Sequence, residues 1–78
     1  MIIKILGSGC KKCITLTENT QAALANLGRE AQIIKVTDFA EIAAHGVMST
    51  PALVIDNKVV SVGKVLSTEE VEKQLGGN

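Results

Sequence analysis

The chain has 78 residues, a formal net charge of zero, 46% hydrophobic residues and a single aromatic residue, Phe39. A chain of this length allows one domain, here taken as residues 1–78, whose hydrophobic core supplies only about 3–5 kcal/mol. With so little aromatic mass, the core is predicted to be aliphatic. The balanced charge and the lack of aromatic stacking platforms argue against nucleic acid as a partner.

The first predicted strand is Ile2–Leu6, an apolar run that ends at Gly7. This run is too short for a secretory signal or a membrane span, so we expect a cytoplasmic protein with no membrane partner. A helix should begin at or just after Cys10 and end at Gly28. Its apolar stripe consists of Cys13, Leu16, Thr20, Ala23, Leu24 and Leu27.

A second strand is predicted at Gln32–Val36, followed by a short helix that stops at Gly46. Asp38 and Glu41 have the spacing of a capping box at the start of this helix. Three residues then share one helical face and are predicted to pack on the core. They are Phe39, Ile42 and Ala43.

A hairpin and a last helix complete the predicted elements. Pro51 disfavours helix at Thr50 and leads into strands at 52–55 and 58–62, joined by a two-residue turn at Asp56-Asn57. Ser67 and Glu70 form a second capping box. In the helix that follows, Val71 and Leu75 should share a face before Gly76 ends the helix.

The order β-α-β-α-β-β-α restricts the topology. The first two strands, joined by a helix, should pair in parallel, whereas the hairpin strands are antiparallel. This predicts an α/β fold with a mixed four-stranded sheet and helices on both faces. In open sheets of this kind the chemistry lies where a strand end leads into a helix, and Cys10 occupies that place.

Cys10 and Cys13 lie three residues apart in the first helical turn, close enough for their sulfurs to bond. The helix N-terminus and the neighbouring Lys11 and Lys12 favour a thiolate at Cys10, which should lower the pKa of this thiol. Cys13 lies on the apolar stripe, where burial disfavours its thiolate. Cys10 is therefore predicted to attack first and Cys13 to resolve the mixed disulfide.

Other interpretations of the cysteine pair stay open. A structural disulfide is disfavoured, because a ring of four residues stabilises by only roughly 2 kcal/mol. Two thiolates can bind copper or zinc in a metal carrier, but the only other strong ligand is His45, for which a solvated or helix-capping role is commoner. A redox-sensing module without turnover is a third possibility. We predict no metal site.

The strand, the segment GSGCKKC that opens the first helix, and STPALVID before the hairpin together resemble the thioredoxin superfamily. The resemblance is to its short, glutaredoxin-sized form, especially the small prokaryotic proteins called redox-active disulfide protein 2. It implies a thiol-disulfide oxidoreductase that needs no cofactor beyond a Cys10–Cys13 disulfide. Its substrates would be disulfide-containing proteins or small thiols, and its electrons would come from an NADPH-dependent disulfide reductase or from glutathione.

The resemblance also implies a substrate platform. The Thr50–Pro51 bond would be cis, with Pro51 facing the disulfide and the Thr50 backbone pairing with substrate. Gly9, where thioredoxins have tryptophan, and Gly63 after the hairpin would contact the substrate as well.

The sequence departs from the family pattern at two places, and each departure argues against one property of the family. Lys4 stands where thioredoxins have a buried aspartate, which puts a carboxylate base for Cys13 in doubt. The turn at 62–65 lacks the Gly-Gly-Asp-like sequence with which glutaredoxins bind glutathione. Copper-carrier domains share a cysteine pair at a strand-helix junction, but their order, β-α-β-β-α-β, differs from the one predicted here.

Overall fold

The structure is a computed structural model that describes residues 1–7 and 11–76. The predicted strands are confirmed with the same bounds, and none of the helices in this described part is long and apolar enough to cross a membrane. The elements are β1 (Ile2–Leu6), α1 (Lys11–Leu27), β2 (Gln32–Val36), α2 (Phe39–Ala44), β3 (Ala52–Ile55), β4 (Lys58–Val62) and α3 (Thr68–Gln74).

The four strands form one mixed sheet in the order β2-β1-β3-β4. β1 pairs in parallel with β2, and β3 pairs antiparallel with both β1 and β4. The tight β3–β4 turn contains Asp56 and Asn57 with φ angles of 47° and 68°, the left-handed conformation that two-residue hairpin turns favour. The predicted topology is confirmed.

Side chains alternate across the sheet and pack into an aliphatic core on each face. α1 and α3 cover one face, and α2 covers part of the other, which confirms helices on both faces. The α1/α3 core contains Ile3, Ile5, Leu16, Ala23, Leu24, Leu53, Leu66, Val71 and Leu75. The α2 core contains Leu6, Val36, Ile42, Val47, Ala52 and Val54.

Threonines within α1 are buried without losing their hydrogen bonds. The hydroxyl of Thr17 donates to the carbonyl of Cys13 at 2.9 Å, and that of Thr20 donates to Leu16 at 2.8 Å. Each hydroxyl is satisfied inside its own helix, so these residues pack on the sheet at little cost. Five of the six residues predicted for the apolar stripe of α1 are buried, and the sixth, Leu27, is half-buried.

α2 differs from its prediction in two respects. Asp38 is the N-cap, but its side chain makes no capping hydrogen bond, so the predicted capping box is wrong. Of the three residues predicted to face the core only Ile42 is buried, whereas Phe39 is 85% exposed and Ala43 is also exposed. The physical reason is length, because a helix of six residues contacts the sheet through little more than one side chain.

Candidate functional site

The candidate site lies beyond the carboxyl end of β1, beside the segment that precedes β3. Ser8, Gly9 and Cys10 lie outside the described residues, so the predicted roles of Gly9 and Cys10 stay predictions. The structure describes the other predicted site residues. They are Lys11, Lys12, Cys13, Thr50, Pro51 and Gly63.

Gly7 is the point where the cysteine helix meets the Thr-Pro segment. A Cβ atom added to Gly7 would overlap the Cys13 Sγ and would lie 3.6 Å from the Thr50 Cβ. The Gly7 amide donates to the carbonyl of Val36 at 2.9 Å, which holds this backbone against β2. Only glycine lets the sulfur of Cys13, 4% exposed, lie so close to β1.

The Thr50–Pro51 peptide bond is cis, the isomer that the family resemblance implied. Pro51 is buried, and Thr50 is exposed at the surface of the site. Gly63 lies against the same segment: its amide donates to the Pro51 carbonyl at 2.9 Å, and a Cβ added to it would lie 3.1 Å from the Ser49 Cβ. Its φ of 71° also favours glycine. Thr50, Pro51 and Gly63 are thus neighbours, although Gly63 comes 12 positions after Pro51 in the sequence.

Lys11 and Lys12 are exposed in the first turn of α1, a turn that contains no acidic residue. Their charges add to the positive end of the helix dipole at the place where the chain leaves Cys10. Positive potential favours a thiolate over a thiol. The local charge therefore suits a nucleophilic cysteine at position 10.

Two other predicted candidates lie away from this chemistry. Lys4 is opposite Ile34 and Val54 in the sheet, so it lies on the α2 face, while Cys13 packs on the α1 face. His45 is the C-cap of α2, and its Nδ1 donates to the carbonyl of Glu41 at 2.8 Å, the capping role expected for it. Within residues 1–7 and 11–76, no group of three or more His, Cys, Asp or Glu side chains could hold a metal ion.

Sequence reasoning missed several residues around the site. Gly7 is one, although a glycine directly after a strand and before a cysteine helix was a usable signal. Lys35 and Thr37, at the end of β2, line a small cavity together with Gly7 and Cys13. A separate groove, on the side of Thr50, is apolar. It is lined by Thr37, Phe39, Ile42, Ala43, Val47, Met48 and Thr50.

Comparison with known proteins identifies the family. Residues 1–76 match the family model of the thioredoxin domain. The chain is 43% identical over 75 residues to a thioredoxin of Methanocaldococcus jannaschii, which covers 96% of this chain and 86% of that protein. It is 35% identical over 75 residues to a thioredoxin of Methanothermobacter thermautotrophicus, a match that covers 96% of this chain and 97% of that protein. These similarities support a function of the thiol-disulfide oxidoreductase type in general. Because the match extends over nearly the whole chain, the protein belongs to the thioredoxin family.

Proposed function

We propose that the protein reduces a disulfide of its substrate, while the thiols of Cys10 and Cys13 become a disulfide. The thiolate of Cys10 attacks one substrate sulfur and forms a mixed disulfide, while the other substrate sulfur leaves as a thiolate. Cys13 then attacks the Cys10 sulfur, which releases the second substrate thiolate. The substrate disulfide gains two electrons, and the protein dithiol becomes a disulfide.

The observation that carries this proposal is the convergence of Cys13 and Thr50 on Gly7. The second cysteine of the pair lies beside the segment where an extended substrate would pair with the Thr50 backbone. With the resolving thiol and a peptide-binding edge so close together, a bound substrate disulfide would lie in reach of the cysteine pair. The exposed Lys11 and Lys12 supply the positive potential that a nucleophilic thiolate needs.

Disulfide reduction by cysteine variants tests the proposal. With an NADPH-dependent disulfide reductase or glutathione as the electron source, Cys10→Ser and Cys13→Ser should both abolish turnover of a disulfide-containing protein. Cys13→Ser should also accumulate a mixed disulfide, which mass spectrometry detects as an added substrate mass. Gln74→Ala, on the exposed face of α3, is the control and should keep wild-type turnover. Undiminished turnover in Cys10→Ser would contradict the proposal.

The preferred substrate in this proposal is a protein disulfide in a reducing cytoplasm. Phe39 and Met48 are 85% and 94% exposed, and they line the apolar groove that reaches Thr50. Exposed apolar side chains beside a site indicate a contact with an apolar partner surface. A folded or unfolded protein supplies such a surface, whereas a small thiol such as glutathione is charged and polar.

Phe39→Ala separates the two substrate classes. Losing part of the burial of one Phe ring costs about 1 kcal/mol, so KM for a protein disulfide should rise about fivefold. KM for a small disulfide should stay unchanged, because that substrate does not reach the groove. Ala40→Ser, an exposed change in the same helix turn, is the control. An equal rise for both substrates would contradict a protein-specific contact.

A further inference from the structure

A small cavity lies between α1 and the ends of β1 and β2, and Cys13 forms part of its wall. Its volume is about 30 Å³, and its polar lining residues are Cys13, Thr17, Lys35 and Thr37. About 10–15 Å³ on this measure is enough for one water molecule. The cavity therefore has room for a water molecule beside the wall that Cys13 forms.

The strand register places Lys35 on the Cys13 side of the sheet. Lys35 lies opposite Ile5 in the parallel β1–β2 pair, and residues opposite each other share a face. Ile5 belongs to the α1/α3 core, so the stem of Lys35 leaves the sheet toward α1. The residue is exposed, and its ammonium can stay hydrated while its methylenes line the cavity.

Lys35 is the only charged residue among the described residues that line this cavity. On α1 itself, Lys11 and Lys12 are exposed in the first turn. Lys4 lies on the opposite face of the sheet, and the acidic Asp38 and Glu41 do not line the cavity. The only charge in the described lining of this cavity is therefore positive, and no carboxylate belongs to that lining.

We propose that Lys35 is a positioning residue for Cys13: its ammonium, at the mouth of this cavity, favours the Cys13 thiolate and speeds resolution of the mixed disulfide. This inference rests on the proposed function. Burial alone disfavours the Cys13 thiolate, and a nearby positive charge opposes that effect. Lys35 would thus assist Cys13 by a positive charge on β2. Family members with an aspartate at the position of Lys4 have a carboxylate on the first strand instead.

The resolving step balances without another reactant. The Cys13 thiol releases its proton to water in the cavity, and the thiolate attacks the Cys10 sulfur. The Cys13–Cys10 bond forms as the bond between Cys10 and the substrate sulfur breaks. The leaving substrate thiolate takes a proton from solvent, so over the attack and the resolving step together the protein loses two electrons and the substrate gains them. Lys35 takes part in none of these bonds and acts only through its charge.

A thiol titration in the Cys10→Ser background tests the inference, because Cys13 is then the only cysteine in the chain. Lys35→Met removes the charge and keeps the apolar stem, and Lys35→Arg keeps the charge. At low salt, Lys35→Met should raise the pKa of Cys13 by about 0.5–1 unit, measured by thiolate absorbance, and Lys35→Arg should restore it. Added salt should shrink the difference, because the ammonium is exposed.

Lys58→Met is the matched control, since Lys58 is an exposed strand lysine that does not line the cavity. An equal rise in Lys58→Met, or no rise in Lys35→Met, overturns the inference. A second readout uses the protein with both cysteines: Lys35→Met should slow release from a preformed mixed disulfide about three- to tenfold below the Cys13 pKa, with little effect well above it. A pH-independent loss would indicate a structural role only and would also overturn it.

The titration needs no substrate, which separates this inference from the proposed function. If wild-type protein exchanges no disulfide while Lys35→Met still raises the Cys13 pKa, the proposed function fails and the electrostatic effect of Lys35 stands. If turnover is normal and the pKa does not move, only the role of Lys35 fails.

Discussion

At the scale of single residues, Gly7 decides how close α1 can lie to β1. Its missing side chain leaves room for the Cys13 sulfur, and Thr50 packs against the same point. Protein interiors are packed densely, so one added methyl group there must displace a neighbour. A glycine that looks like a strand terminator in the sequence is thus a steric requirement of the candidate site.

Gly7→Ala should destabilise the fold by about 1–3 kcal/mol, because the new methyl group overlaps the Cys13 sulfur. Urea unfolding of the reduced protein measures the change. The same substitution in a Cys13→Ala background is the control, since removal of the sulfur removes the overlap and the cost should largely disappear. An equal cost in both backgrounds would mean that the strain lies elsewhere, for example against Thr50.

At the scale of elements, the two short helices begin differently although both were predicted to have capping boxes. Ser67 accepts from the Glu70 amide at 3.2 Å, and the Glu70 carboxylate accepts from the Ser67 amide at 3.0 Å, so the box of α3 is confirmed. In α2, Asp38 makes no such bond. Equal spacing in the sequence therefore gave two different helix starts.

Ser67→Ala should lower the free energy of unfolding by about 1 kcal/mol, because it removes a bonded N-cap side chain. Asp38→Ala is the matched substitution at the N-cap of α2, and it should cost less than about 0.5 kcal/mol. Both values come from urea unfolding at neutral pH. A larger cost for Asp38→Ala would show that its carboxylate caps the helix in solution.

Glu70 should make the stability of the protein depend on pH. Hydrogen bonds from the Ser67 backbone and side chain lower the pKa of Glu70 below its ordinary value of 4.5. The positive charges of Lys64 and Lys73 lower this pKa further, by a smaller amount. A lowered folded-state pKa gives stability that is present above 4.5 and lost as the pH falls through the folded-state value. Glu70→Gln should therefore be less stable than wild type at pH about 7, and the gap should close in acid.

Glu69→Gln, in the same turn but outside the capping box, is the control for that experiment. It should show a smaller gap at neutral pH, because it leaves both hydrogen bonds of the box in place. Parallel stability curves for wild type and Glu70→Gln across the acid range would contradict the assignment.

The features of the fold that could be predicted from the sequence are those that short-range interactions determine. Strand bounds such as Ile2–Leu6 were predictable because local signals, a glycine or a tight turn, end each apolar run. The exposure of Phe39 was not predictable, because helical periodicity does not say how much sheet lies beneath a short helix. The approach of Lys35 to Cys13 depends on where α1 crosses the sheet, which no local pattern specifies.

At the scale of the whole molecule, aliphatic packing on both faces of the sheet supports the fold. Strands β1 and β3 contribute buried side chains to both faces, so the sheet is held from both sides. Two hydrogen bonds also join α1 to α3 and to the segment before it. The Asn19 side chain donates to the Leu66 carbonyl at 2.8 Å, and the Asn26 side chain donates to the Glu72 carboxylate at 2.9 Å. Cys13 lies at one end of this framework and is buried there.

The fold should therefore survive reduction of the proposed disulfide. A ring of four residues restricts the unfolded chain little, so its loss should lower the free energy of unfolding by about 2 kcal/mol or less. Urea unfolding followed by far-ultraviolet circular dichroism, with and without reductant, measures the difference. The double variant Cys10→Ala/Cys13→Ala should unfold identically in both conditions. Loss of cooperative unfolding on reduction would show that the disulfide, and not the aliphatic core on the two sheet faces, holds the molecule together.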